Sequence, residues 1–234
     1  VRVFRLVENQ WQNIGDLYGE PDDYFGGSVF DISHDGKRII AGSHGGTECP
    51  GENGENKLMG YAKVFEYKAD NDWGQIGGTL CYPVPGEEQE FGSSVTISGD
   101  GRRIAAAAKL WNNGVGYAIA YDIDDDGDGT YSFRQLGQIL YGLIVYGGNR
   151  PRFGYTMRMS YDGSRLLVTA PFEHDDRRRA QGAIRIYDLK NNLWEVVGNP
   201  ITGSDIPYND DRSRELGKFA ALAGNGERVV FTDT

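Results

Sequence analysis

The sequence predicts an all-β protein built from repeated four-stranded antiparallel sheets, and three observations carry that prediction. Short segments of alternating or β-branched apolar residues are punctuated throughout by Gly, Asp and Asn, in a chain of 234 residues with 34 glycines and 12% aromatic residues. Three phrases recur in a fixed order along the chain. Their spacing is regular: the aromatic anchors Trp11, Trp73, Phe133 and Trp194 stand 62, 60 and 61 residues apart, and such a period over four copies marks a repeat architecture.

The first phrase reads FGGSVFDISHDGKRIIAGS from 25, FGSSVTISGDGRRIAAAAK from 91, FGYTMRMSYDGSRLLVTAP from 153 and LGKFAALAGNGERVVFTDT from 216. Its apolar halves predict two strands, A and B, joined at the Asx-Gly pair. Ser33-His34-Asp35-Gly36 has the residue types of a catalytic cluster. The copies read Ser98-Gly99-Asp100-Gly101, Ser160-Tyr161-Asp162-Gly163 and Ala223-Gly224-Asn225-Gly226. A catalytic triad does not survive those replacements, whereas a hairpin turn needing positive φ keeps its Asx and Gly. The cluster is therefore a turn.

The second phrase predicts strand C: VRVFRL at 1, AKVFEYK at 62, YAIAYDI at 117 and AIRIYDL at 183. The third predicts strand D: WQNIG at 11, WGQIG at 73, FRQLG at 133 and WEVVG at 194. Four antiparallel strands per unit, repeated head to tail, are the pattern of a β-propeller blade. A sheet that is apolar on both faces must be covered by its neighbours, and the small-residue segments IIAGS, IAAAA and LLVTA suit close packing near a propeller axis. Blades fall at about 25–82, 91–142 and 153–203, with half blades at 1–24 and 216–234, giving about four blade equivalents in one propeller region, 1–234. The region is either an arc of a larger propeller or a closed four-bladed ring. Both ends stop inside strands, which favours the arc.

The Phe-Gly phrase, joined to G-x-[VI]-x-[VI]-Y and W-x-x-[IL]-G, resembles the FG-GAP family, whose blades build integrin α-type propellers and large secreted or surface repeat proteins. The resemblance spans essentially the whole chain. It implies a secreted or cell-surface module for adhesion, matrix assembly or binding of protein or glycan, and blade loops of the form D-x-D-x-D-G-x-x-D that hold calcium. One loop here comes near that form, Asp122-Ile123-Asp124-Asp125-Asp126-Gly127-Asp128-Gly129-Thr130, with Thr130 in place of the last Asp. Carboxylates at alternate positions can surround one Ca²⁺, and without unlike-sign partners nearby they would repel one another in its absence. Either Asp122, Asp124, Asp126 and Asp128 are calcium ligands or the run is a solvated acidic hairpin. WD40 repeats, with a period near 40 to 45 residues and Gly-His and Trp-Asp signatures, do not fit.

The net charge of −10 argues against nucleic acid or an anionic membrane as the main partner. No apolar run approaches the roughly 18 residues that span a bilayer, so direct membrane insertion is not expected. The chain opens on VRVFRL, without a basic n-region or a small-residue cleavage site, so a signal peptide is absent or already removed.

In the A-to-D strand order, the A–B and C–D turns share one rim and the B–C and D–A connections the other. Cys49 and Cys81 fall on the second rim, in neighbouring connections, so they form either a disulfide or one loop thiol and one buried thiol. That rim also carries the long connections 44–60, 82–90, 109–116, 142–152, 171–182 and 203–215, where a partner is expected. Arg150, Arg152, Arg177, Arg178 and Arg179 stand there as candidates for a carboxylate or sulfate on a glycan or protein, or as solvated loop residues. His34, His44 and His174 sit at spacings that name no catalytic partner, and no G-x-S-x-G, H-E-x-x-H or P-loop occurs. The function expected is non-catalytic. The alternatives are a carbohydrate-active propeller enzyme with a site assembled from several blades, and a repeat array packing on sister subunits.

Overall fold

Each sheet begins as hairpins whose turns the sequence dictates. Between strands C and D the turn residues Glu8-Asn9, Asp70-Asn71 and Asn191-Asn192 all have φ between 49° and 63°, the paired left-handed conformation of type I′ turns, whose twist matches that of the strands. The computed structural model describes residues 1–21, 23–27, 29–49, 59–85, 90–143, 150–174, 180–203 and 215–233. It is all-β.

Strands β1 (Arg2–Val7) and β2 (Gln10–Asp16) form a two-stranded sheet. The first four-stranded sheet follows in chain order: β3 (Phe30–Ile32), β4 (Arg38–Ser43), β5 (Tyr61–Tyr67) and β6 (Trp73–Leu80). The second comprises β7 (Phe91–Ile97), β8 (Arg103–Ala108), β9 (Tyr117–Asp125) and β10 (Tyr131–Tyr141). The third comprises β11 (Met157–Met159), β12 (Arg165–Ala170), β13 (Ala183–Lys190) and β14 (Leu193–Val196), with β15 (Ile201–Thr202) also paired to β13. A last pair, β16 (Ala220–Leu222) and β17 (Val229–Phe231), completes the series. All these pairings are antiparallel.

Four apolar layers lie between successive sheets. The Ala run of β8 shows how one strand serves two of them: Ala106 and Ala108 join Ile40, Val64 and Val95 on one side, while Ala105 and Ala107 join Met157, Leu166 and Trp194 on the other. The side chains of β8 are small because the sheets approach closely here. At Gly42 a β-carbon would lie 2.0 Å from the Gly92 carbonyl oxygen of the next sheet, so any larger residue would force the sheets apart.

The repeated phrases meet across these layers. Trp73 stacks on Gly15 and donates its indole N–H to the Ile14 carbonyl at 3.1 Å; Trp194 covers Gly137 and donates to the Leu136 carbonyl at 2.9 Å. Phe133 lies against Gly77 in the same manner, without a donor. The aromatic opening one D strand thus fills the space left by the glycine of the preceding one.

The Asx-Gly turns lock the opposite edge. Within each turn the Ser hydroxyl donates to the Asp carboxylate, at 2.7 Å for Ser33–Asp35, 2.6 Å for Ser98–Asp100 and 2.8 Å for Ser160–Asp162. The arginine two residues after the Gly then spans two sheets. Arg38 donates Nε to Glu66 at 2.8 Å and Nη1 to the Gly101 carbonyl at 3.0 Å; Arg165 donates Nε to Asp188 at 2.6 Å and Nη1 to the Gly226 carbonyl at 2.8 Å. Arg103 does the same with Asp122 at 3.0 Å and the Asp162 carbonyl at 3.4 Å. Backbone bonds run beside it, His34 N to Gly99 O at 2.8 Å and Tyr161 N to Gly224 O at 2.7 Å. Ser33, His34 and Asp35 are thus structural, the His34 ring meeting Tyr161 edge-on at 5.6 Å.

Arg165→Met is expected to lower unfolding free energy by about 1.5–3 kcal/mol, the worth of hydrogen bonds to a charged group, while Arg102→Met, at an exposed neighbouring position, stays within about 0.5 kcal/mol; urea titration checks both. The Arg165 guanidinium holds the Asp188 carboxyl below its usual range, and the Ser164 N–H does the same for Asp162. A depressed folded-state pKa contributes stability above the unfolded value of about 3.9 and loses it as pH falls further. Urea midpoints are therefore expected to drop below about pH 4, and less steeply in Asp188→Asn.

Candidate functional site

The first strands of the successive sheets are stitched side to side. Asp31, the only carboxylate on these first strands, accepts from Thr96 Oγ1 at 2.7 Å and Ile97 N at 3.1 Å; Ser94 Oγ accepts from Met157 N at 3.1 Å; Thr156 Oγ1 donates to the Lys218 carbonyl at 2.8 Å. Side-chain oxygens thus join β3 to β7, β7 to β11 and the residue entering β11 to the segment entering β16. Together they enclose one cleft of 280 Å³, reached by Phe30, Val95, Arg158 and Phe219, one residue from each of the four copies. Phe30 is 57% and Phe219 72% exposed.

The cleft mouth concentrates positive charge in an acidic chain. Lys109 lies 5.7 Å from the Tyr155 ring, Arg152 4.8 Å and Lys218 5.8 Å from the Phe172 ring, and the two rings meet edge-on at 5.9 Å. Lys109 pairs with Glu90 at 3.1 Å, and Lys218 pairs with Glu215. Arg158 donates Nη1 to the Met157 carbonyl at 2.7 Å. Among the described residues neither Arg152 nor Arg158 forms an ion pair with a carboxylate.

Of the sequence candidates, Arg152 lies on the Phe172 ring, which meets Tyr155 of the cleft wall. Arg150 is exposed, its stem against Gly114. Arg177, Arg178 and Arg179 lie outside the described residues. His44 stacks on Tyr24 at 5.8 Å, and His174 bridges to Ala180. Lys109, Arg158 and Lys218 were not singled out from sequence, although a signal existed: Arg158 occupies the register position that the other copies give to Asp31, Thr96 and Ala221.

The cysteines are bonded, Cys49 to Cys81, with Cα atoms 5.5 Å apart. Glu48 beside them takes Lys63 Nζ at 2.6 Å and Thr79 Oγ1 at 2.5 Å. A matching clamp holds the connection before β13, where Arg185 grips Glu173 through two bonds of 2.6 and 2.7 Å, both side chains almost fully buried. These clamps fasten the long connections to strands.

The acidic run is an insertion where the other copies have two-residue turns. Its carboxylates do have unlike-sign partners, contrary to the expectation from sequence. Arg134, opposite on β10, reaches Asp122 at 2.9 Å and Asp124 at 2.8 Å, and Arg103 also holds Asp122. Asp128 accepts from Thr130 N at 2.9 Å, and Asp126 from Thr130 Oγ1 at 3.3 Å. Among the described residues no three His, Cys, Asp or Glu side chains gather as a metal site. The cross-strand register places Arg134 beside Asp122.

A larger hollow of 430 Å³ lies at the turn rim around Tyr161, Asp162, Arg165 and Asp188. Its charged groups are committed to one another in the sheet-to-sheet lock, so the inner cleft is the better candidate for binding. No helix among the described residues is long and apolar enough to cross a membrane. No model of a known protein family matches the chain, and no curated protein matches it.

Closing a 32-residue separation, the disulfide is expected to contribute about 3–4 kcal/mol. Alkylation without reductant should leave the mass unchanged, and reduction should lower the urea midpoint. Two thiols labelled in the native protein would contradict the bond.

Proposed function

We propose that this chain is a non-catalytic β-propeller module of the FG-GAP type, secreted or displayed on a cell surface, that holds its partner at the inner cleft. The observation that carries the proposal is the cleft itself: first strands from all four copies border one cavity whose mouth is cationic and aromatic. In a propeller the innermost strands surround a common axis, and four copies arranged as an arc leave that axis open to a ligand. The Cys49–Cys81 disulfide supports an oxidising compartment, and the net charge of −10 disfavours nucleic acid.

Binding is favoured over glycoside hydrolysis by the residue types present. Hydrolysis uses two carboxyl groups facing the bond to be cut, whereas Glu90 and Glu215, beside the cleft, are paired with Lys109 and Lys218. A structural calcium is not part of this proposal, because the acidic run already holds Arg103, Arg134 and Thr130.

Incubation with an array of immobilised glycans and matrix proteins is expected to give at least one retained ligand, released intact and lost in Phe219→Glu, which puts a negative charge at an exposed position of the cleft. A shortened product would establish the enzyme instead, and retention of nothing on the array would overturn the binding module. Calorimetric titration with Ca²⁺ is expected to give no heat; a stoichiometric heat abolished by Asp124→Ala would put an ion in the acidic loop.

A further inference from the structure

One arginine in this protein, Arg158, lines a concave site and forms no ion pair with a carboxylate among the described residues, although acidic side chains outnumber basic ones by 34 to 24. Arg158 lines the cleft, while Arg152 lies behind its wall, on the face of Phe172, whose ring meets Tyr155 of the lining edge-on. Among the described residues, Lys109 and Lys218 also line the cleft, paired with Glu90 and Glu215. A cation in a partly desolvated wall favours an anion beside it, and an oxyanion in the cleft would meet Arg158 there. Arginine presents a planar fork that matches two oxygens of one oxyanion.

The walls narrow the class further. Phe30 and Phe219 offer exposed apolar ring surface, which suits the C–H faces of a sugar ring. The volume, 280 Å³, falls at the small end of ligand sites. It suits a short saccharide better than an extended peptide, which takes a long groove or a sheet edge.

We infer that the inner cleft binds an acidic saccharide, with Arg158 gripping its sulfate or carboxylate group and Phe219 packing on the sugar ring. This rests on the binding-module proposal and adds the ligand class. Lys109 and Lys218, which also line the cleft, draw the anion in and make its capture sensitive to salt.

The test is calorimetry at low and at physiological salt with four probes: a sulfated disaccharide, a uronate disaccharide, an uncharged analogue of the same ring, and a glutamate-rich peptide. One or both charged sugars are expected to bind, and the difference between them separates a sulfate from a carboxylate source. Affinity should fall about tenfold or more in Arg158→Met, roughly the worth of one charge-assisted hydrogen bond. It should fall less in Arg158→Lys, which keeps the charge, and it should weaken with salt. Unchanged melting temperatures establish that both variants fold; if Arg158→Met does not, Phe219→Ala carries the test through loss of sugar affinity.

Equal binding of the uncharged analogue would overturn the anion inference while leaving the cleft as a binding site. Binding of the peptide alone would overturn the saccharide class. Charged-sugar binding untouched by both Arg158→Met and Phe219→Glu would place the ligand elsewhere and overturn the site. Failure of all four probes would overturn the inference, and the array then decides separately whether the module binds anything.

Discussion

Each four-stranded sheet in this protein is apolar on both faces, and that constraint shapes the rest of the structure. A four-stranded sheet of this size cannot bury two faces by itself, so each depends on the next for its core. The layers between β4–β5 and β7–β8, and between β8–β9 and β11–β12, are the same apolar core continued across sheets. Because burial alone does not fix how two flat faces sit on one another, the sheets also carry directional contacts. The aromatic of one D strand seats on the glycine of the previous one. The turn arginine ties a carboxylate in its own sheet to a carbonyl in the next. The hydroxyls and the carboxylate of the first strands bind those strands to one another.

The same constraint separates structural residues from candidates for function. Residues that recur from copy to copy are occupied by the stack: Ser33, Asp35 and Arg38, with their counterparts in the second and third copies, spend their polar groups within turns and between sheets. Residues that occur once are free to differ in purpose. Arg158, Tyr155 and Phe219 each break the pattern of their column, and they meet at one cleft. The repeats build a wall, and the exceptions give one part of it a chemical character.

This division explains what was legible in the sequence. The 62-, 60- and 61-residue spacing and the four copies of each phrase carried the strands, the turns and the sheet order, because these are local and repeated. The nature of the Ser-His-Asp-Gly cluster was legible from comparison of copies. Contacts across sheets were not: nothing near Gly137 announces that Trp194 will fill it, since the pairing is set by how the sheets stack. The cationic partner of the acidic loop is hidden in the sequence for a related reason. Asp122 and Asp124 stand alone along the chain, but the hairpin register returns Arg134 to them across the strand pair. The cleft depends on residues from four copies and gave no local motif, and only the single arginine in an A strand was there to be noticed.

The central claim is that the sheets hold one another, and native-state hydrogen exchange on Trp194→Ala tests it most directly. Trp194 belongs to the third sheet, while its ring lies on Gly137 and bonds Leu136 of the second. If the sheets are mutually dependent, amides of β10 and β9 lose protection together with those of β13 and β14, while β4 and β5, one sheet further away, keep most of theirs. Loss of protection confined to β13 and β14, with the second sheet unchanged, would contradict it.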